Sequence, residues 1–312
     1  MVKIKSTTRN LLLFFLATAI SLAGCATTNV GTPSKTAHYE NHIERRLITP
    51  DGKKAEVSLN TAEEYERLGD INLQRGDITT AFVNYSKALQ KEPNRLSVSY
   101  KTGRLFLLKG MTDDARGEFE KIIKKDPKNA LAHEGMGRAY LLDNNNEKAI
   151  EYLTKAVTLN ERLWEAHNLI GIAYDRQRKF SLAIEHYRIA ISIKPDAGAV
   201  YNNLGVSYYM NGEIDKAKDA FTTAIENGEE GSRVYNNLAL TFAKLGEYRA
   251  ARESFVRASN EATAQNNMGF LYLLDEKNKE AAQAFEKAIE LSPVFYRKAH
   301  DNLKAAKESL QE

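Results

Sequence analysis

Seven alanines set the plan of this 312-residue chain. Ala81, Ala115, Ala149, Ala183, Ala217 and Ala251 stand 34 residues apart, and Ala281 follows after 30. Residues of matching type recur around each of them. Twelve positions earlier come Gly69, Gly103, Gly137, Gly171, Gly205, Ala239 and Gly269; four later come Tyr85, Phe119, Leu153, Tyr187, Phe221, Phe255 and Phe285. Seven later the residue is Ala88, Ile122, Ala156, Ala190, Ala224, Ala258 or Ala288, and Pro93, Pro127, Pro195 and Pro293 close four of the seven units. A fixed period of this length describes a chain of like units, each too small to bury its own apolar face, which must therefore stack. In the fifth unit Tyr201, Leu204, Gly205 and Tyr208 fall at i, i+3, i+4 and i+7, which draws one apolar stripe along a helix. Gly76, Gly110, Gly212 and Gly246 separate two helical stretches, and proline ends the second. The expected fold class is all-α.

Small, aromatic, small and proline residues at these offsets resemble the tetratricopeptide repeat. The resemblance implies an α-solenoid superhelix of about seven helix pairs, in units 62–95, 96–129, 130–163, 164–197, 198–231, 232–261 and 262–295, with a capping helix at 296–312. Two units depart from the pattern by carrying Glu161 and Glu229 where proline is usual. The sixth unit lacks four residues between Ala258 and Met268, close to one helical turn, so a local bend is expected near residues 258–264.

The N-terminus has a different character. Lys3, Lys5 and Arg9, with no acidic residue, precede an apolar stretch from Leu11 to Ala23, the order of a secretory signal peptide. A transmembrane helix needs about 20 apolar residues, and this stretch is shorter and ends in Gly24. Leu22-Ala23-Gly24-Cys25 resembles the lipobox of bacterial lipoproteins, which implies a signal peptide at 1–24 and lipidation of Cys25. Cys25 is also the only cysteine, so no disulfide can form within the chain. An Asp after the cysteine would favour inner-membrane retention in the Gram-negative lipoproteins this resembles. Ala26 stands there instead, which implies the periplasmic face of the outer membrane. Loss of residues 1–24 removes three basic residues and no acid, so 44 basic residues become 41, against 41 acidic. A neutral mature chain is a poor match for nucleic acid, whose binding is driven by phosphate neutralisation. Residues 25–61 are rich in Thr, Ser, Asn and Lys, with a turn signal at Thr49-Pro50-Asp51-Gly52, and read as a flexible tether.

Signs of catalysis or metal binding are few. His38 and His42 read as tether residues, and His133, His167, His186 and His300 as single residues of separate repeats without zinc-type spacing. Asp143-Asn144-Asn145-Asn146-Glu147 lacks the glycine of a calcium loop and reads as a turn. The chain is expected to be no enzyme and to need no cofactor or metal.

Paired amides are conspicuous instead: Asn202-Asn203, Asn236-Asn237 and Asn266-Asn267, with Asn168 one repeat earlier. At 100° per residue Asn203, Val206 and Met210 point away from the Tyr201 stripe, with Asn202 on the flank. In the tetratricopeptide fold that side lines the concave groove, and other members use similar asparagine ladders to hold peptides. The same amides before a Leu-Gly pair are also common in the repeat's consensus, so both readings stand. Arg104, Arg138 and Arg176 are expected at equivalent groove positions of the earlier repeats, either paired with Glu134 and Asp70 or open to acidic groups of a partner. Val206, Leu240 and Phe270 replace them later, so the expected groove grades from basic to apolar.

A lipobox, a short tether and a run of such repeats together resemble the lipoproteins that assist type IV or tight-adherence pilus assembly. That resemblance implies a secretin or other pilus or secretion component as partner. The alternative is an adaptor that docks envelope enzymes such as peptidoglycan hydrolases or proteases in the same groove.

Overall fold

The computed structural model describes residues 61–292 and 296–310. Cys25, the lipobox, His38, His42 and the turn at Thr49–Gly52 lie outside the described residues. Among the described residues there are fifteen helices and no strand. The chain is all-α, a solenoid of helix pairs, and its helices group into two compact units that meet in sequence between Glu161 and Arg162.

The first unit holds three pairs: α1 (Ala62–Gln74) with α2 (Ile78–Lys91), α3 (Leu96–Leu108) with α4 (Thr112–Lys125), and α5 (Ala130–Leu142) with α6 (Asn146–Leu159). The second holds α7 (Trp164–Arg176) with α8 (Phe180–Ile193), α9 (Gly198–Met210) with α10 (Ile214–Glu226), α11 (Ser232–Lys244) with α12 (Tyr248–Ala258), and α13 (Glu261–Leu274) with α14 (Asn278–Glu290). A last helix, α15 (Arg297–Glu308), packs on α14. Within each unit every helix packs on the next. The odd-numbered helices also touch across repeats, α3 with α5 in the first unit, and α7 with α9, α9 with α11 and α13 with α15 in the second. No two even-numbered helices come as close, so the odd helices form the inner layer of each stack.

Local chemistry explains where the helices start and stop. Thr61 opens α1 with a capping box, its hydroxyl accepting from the Glu64 N–H while the Glu64 carboxylate accepts from the Thr61 N–H. Asp77, Asn129, Asn145 and Asn260 cap α2, α5, α6 and α13 through their side-chain oxygens. The turn inside each pair needs a left-handed residue, met by glycine at Gly76, Gly110, Gly212 and Gly246. Asn144, Arg178 and Glu276 take the same conformation at the same place, with φ of 58–59°. Asp143–Glu147 is accordingly the turn of the third pair.

The repeated pattern is a packing pattern. Tyr85, Phe119, Leu153, Tyr187, Phe221 and Phe285 are buried to within 1% and each lies against the glycine of its own inner helix. A Cβ on Gly205 would stand 2.6 Å from Phe221 Cε1, so the two helices meet at that closeness only because the side chain is missing. Each of these buried side chains contributes about 2–3 kcal/mol of apolar transfer, which only the stacked pairs can collect. The short sixth repeat is absorbed in α12 and its link. That helix has 11 residues where its counterparts have 13 or 14, and only Ser259 and Asn260 connect it to α13. In α15 Ala299 and Ala306 are buried and Leu303 packs against the cluster that holds Phe285, while its charged side chains face water.

Candidate functional site: the inner face of the repeats

In the first unit the inner face is charged, and most of the charge is spent internally. Glu66 accepts from Arg95 Nε at 2.6 Å and from Lys101 Nζ at 2.7 Å, and Lys101 also reaches Asp70 at 2.7 Å. Burial alone would raise Glu66, but the hydrogen bonds from Lys101 and Arg95 outweigh it and hold its pKa below the ordinary carboxylate value. The Tyr85 hydroxyl donates to Asp70 at 2.7 Å. Arg138 is bound to the buried Glu134 at 2.6 Å, the intramolecular pairing. Asp70 is taken by Lys101, so Arg104 stays exposed and lies over the Tyr100 ring at 6.0 Å. The expected basic end therefore reduces, in this unit, to Arg104.

Arg176 requires a correction. The inner-face column that holds Arg104 and Arg138 one residue after the packing glycine holds Ile172 in the fourth repeat, and Ile172 is buried. Arg176 sits one helical turn further on, half-buried.

In the second unit the inner face is apolar. Val206, Tyr209, Asn237, Leu240 and Phe221 line one small cleft of about 10 Å³, room for a water-sized group. Val206 and Tyr209 are half-buried and Met210 is exposed beside them, whereas Leu240 is 9% exposed. Phe270 is half-buried and packs against the buried cluster of Ala281, Ala282, Phe285 and Ala306. The structure thus brings Val206, Asn237 and Leu240 together and places Phe270 one repeat beyond.

The amides are less exposed than expected. Asn202, Asn237 and Asn266 are buried, while Asn168, Asn203, Asn236 and Asn267 are half-buried. Several bond each other across repeats. Asn203 Nδ2 donates to Asn168 Oδ1 at 3.0 Å, Asn237 Nδ2 to Asn202 Oδ1 at 3.2 Å, and Asn302 Nδ2 of α15 to Asn266 Oδ1 at 3.0 Å. These rungs stitch neighbouring inner helices, so the bonded amides serve the fold before they serve any ligand. Asn302 was not singled out from the sequence. Its signal is its spacing, 36 residues beyond Asn266 against 35 for the other two rungs.

Two polar clusters in the second unit also escaped the sequence reading. His167 and His186 belong to one repeat, not to separate ones, and their Nδ1 atoms stand 3.2 Å apart, with burial lowering the His186 pKa. Asp175 is buried at the junction of α7, α8 and α9. The Tyr187 hydroxyl donates to its Oδ2 at 2.8 Å, and Ser207 Oγ lies 2.7 and 2.9 Å from its two oxygens. Burial pushes Asp175 up to about 6, against the opposing hydrogen bonds from Ser207 and Tyr187. No group of three or more metal-ligating side chains occurs among the described residues.

Comparison with known proteins decides what the scaffold is. A Tetratricopeptide repeat family model matches residues 100–166 and 202–267, a TPR repeat model matches 176–212, and another Tetratricopeptide repeat model matches 262–295. Together they span more than half of the chain. This is a tetratricopeptide-repeat protein. Among solved structures, the C-terminal part of a TPR repeat-containing protein from Cytophaga hutchinsonii is 19% identical, with a TM-score of 0.57 over 76% of this chain and 98% of that one. A tetratricopeptide repeat protein from Parabacteroides merdae is 18% identical, with a TM-score of 0.53 over 79% of this chain and 98% of that one. MamA is 31% identical over 52% of this chain and 95% of its own, with a TM-score of 0.45. The first two share the fold of this tetratricopeptide-repeat protein. No curated protein matches the chain. Tetratricopeptide repeats typically serve as non-catalytic scaffolds for protein partners.

Proposed function

We propose that this tetratricopeptide-repeat protein is exported, anchored to the outer membrane through lipidated Cys25, and holds a partner polypeptide on the inner face of its second unit during assembly of a pilus or secretion complex. The observation that carries the binding part of the reading is the cleft of Val206, Tyr209, Asn237 and Leu240. It is an apolar patch with an amide at its edge, on the inner layer, next to the exposed Met210. A partner's apolar side chain gains about 25 cal/mol per Å² of surface covered there. The anchor rests on the sequence alone: a basic start, an apolar stretch, then Leu22-Ala23-Gly24-Cys25. Two or more acyl chains on one cysteine would hold the protein at a membrane without a spanning helix.

The anchor is tested by Cys25→Ser, which should abolish labelling by radioactive palmitate and release the protein from the membrane fraction. Membrane retention of Cys25→Ser at high salt would show that the apolar segment itself spans the bilayer. The assembly role is tested in a deletion strain, where secretin multimers should be lost or mislocalised. Normal secretin assembly in that strain would turn the reading toward an adaptor for envelope enzymes.

A further inference from the structure

One repeat of the second unit brings two imidazoles together. His167 stands on α7 four positions before the packing glycine, and His186 on α8 three positions after the repeat alanine. Only the fourth repeat has histidine at both places; the third holds His133 and Tyr152 there, and the fifth Tyr201 and Ala220. The pairs also meet differently. His133 and Tyr152 stack, with ring centres 6.1 Å apart and planes at 28°, and His133 turns its Nε2 to the Pro127 carbonyl at 3.0 Å. His167 and His186 approach edge to edge, with Nδ1 atoms 3.2 Å apart and ring centres 5.5 Å apart. That is about the greatest separation of ring centres that this nitrogen–nitrogen distance allows. Both Nδ1 atoms therefore lie on the line between the centres, and their lone-pair directions oppose each other.

At most one of two facing ring nitrogens can carry a hydrogen, and 3.2 Å is already the long end of the hydrogen-bond range. His167 is buried and His186 half-buried. Burial lowers the His186 pKa and so keeps that ring in its neutral, metal-ligating form, while the Glu185 carboxylate acts the other way and favours a cation there. No third histidine, cysteine or carboxylate joins the pair among the described residues, which leaves a four-coordinate ion such as zinc two protein ligands short. A soft monovalent ion with a filled d shell takes two nitrogen donors in line and needs no third. We propose that His167 and His186 form a binding site for copper(I), held in line between their two Nδ1 atoms. Two bonds of about 2 Å each need about 4 Å between the nitrogens, so the pair must open by roughly 0.8 Å. His186, half-buried on the outer helix, is the ring that can withdraw toward solvent. The ion replaces the proton shared by the pair, and that proton passes through water to the Nε2 of the same ring. Both rings stay neutral, and binding releases no net proton. The site is independent of any partner on the inner face.

The test titrates copper(I) without oxygen, against a chromophoric copper(I) chelator, into the full chain in detergent. That chain carries Cys25→Ser, which removes its only thiol. One copper(I) ion should bind, and His186→Gln should weaken it by more than about a hundredfold, beyond what loss of an outer-shell partner costs. His133→Gln, which alters a histidine one repeat away, should leave the affinity unchanged. Two further readouts need no histidine variant. In the nitrogen-15 spectrum of the histidine rings, the Nδ1 resonances of His167 and His186 should move on adding one equivalent while those of His133 stay. X-ray absorption of the bound copper should show two nitrogen neighbours in a linear arrangement. Equal copper(I) affinity in His186→Gln, unmoved Nδ1 resonances of the pair, or zinc bound by the pair more tightly than copper(I) would overturn the inference. None of these results would touch the scaffold reading.

Discussion

Replacing Asp175 with asparagine should stabilise the second unit at neutral pH, and the gain should disappear in acid. The carboxyl is buried among α7, α8 and α9, receives hydroxyl hydrogen bonds from Tyr187 and Ser207, and has no cation paired with it among the described residues. Its pKa in the fold is about 6 against an ordinary 3.8. The folded state thus holds this proton more tightly than the unfolded chain does. The stabilising contribution is fully present below pH 3.8 and is lost as pH rises through about 6. A shift of roughly two units at about 1.4 kcal/mol per unit makes the ionised group cost about 3 kcal/mol at neutral pH. An amide of the same shape carries no charge, and its imperfect match to two hydroxyls costs about 1 kcal/mol at every pH. Asp175→Asn should therefore be about 2 kcal/mol more stable than the wild type at pH 7.5 and no more stable at pH 4. Repeat arrays can unfold in segments, so the difference is best read locally, from the hydrogen-exchange opening energies of α7, α8 and α9 in both proteins across that range. A wild-type-to-variant difference that does not change with pH, or an Asp175 carboxyl carbon that titrates near pH 4, would refute the reasoning.

Gly205→Ala should lower stability by about 1–3 kcal/mol, because its Cβ would fall 2.6 Å from the Phe221 ring, whereas Gly117→Ala meets nothing within 4 Å and should gain up to about 1 kcal/mol from helix propensity. Urea unfolding followed by circular dichroism separates the two. Arg178→Gly should relieve a left-handed side-chain residue with φ of 58° and raise the melting temperature, with a net gain of up to about 1 kcal/mol after the entropy of glycine is counted. Asn237→Ala strands the buried Asn202 oxygen and should cost about 1–2 kcal/mol, while Asn236→Ala, which has no rung to lose, should stay within about 0.5 kcal/mol of the wild type.

The repeat was legible because each packing position recurs in sequence, so a glycine facing a ring in one unit can be checked against the others. The turns were legible at Gly76, Gly110, Gly212 and Gly246, and less so at Arg178 and Glu276, where a side chain adopts a conformation that its residue type disfavours. Helical-wheel reasoning placed Asn203 and Val206 away from the Tyr201 stripe but not the depth of their surroundings. An inner helix in a stack is flanked by the next inner helix, so amides such as Asn202 and Asn237 become buried partners of each other rather than open donors. Asp175 could have been found by reading down one column of the repeat. The residues four after the packing glycine or alanine are Leu73, Leu107, Leu141, Asp175, Tyr209, Ala243 and Leu273, so the acid interrupts an apolar series. Ser207 interrupts another one repeat later, where the equivalent positions of the first four repeats hold Ile71, Leu105, Ala139 and Ala173. Two polar breaks in neighbouring apolar columns imply that the two side chains meet. The ion pairs of the first unit were legible only in part, since Lys101 rather than Arg104 reaches Asp70, a choice made by side-chain reach rather than by spacing.

The central claim is that the inner face of the second unit holds the partner. It is tested most directly by placing a photo-crosslinking residue at Val206 in living cells, with Arg188 on the outer layer, an exposed position of α8, as control. The account predicts a discrete adduct from Val206 whose second component is a secretin or another protein of the same assembly, and none from Arg188. No adduct from Val206, or the same adduct in equal yield from Arg188, would contradict it.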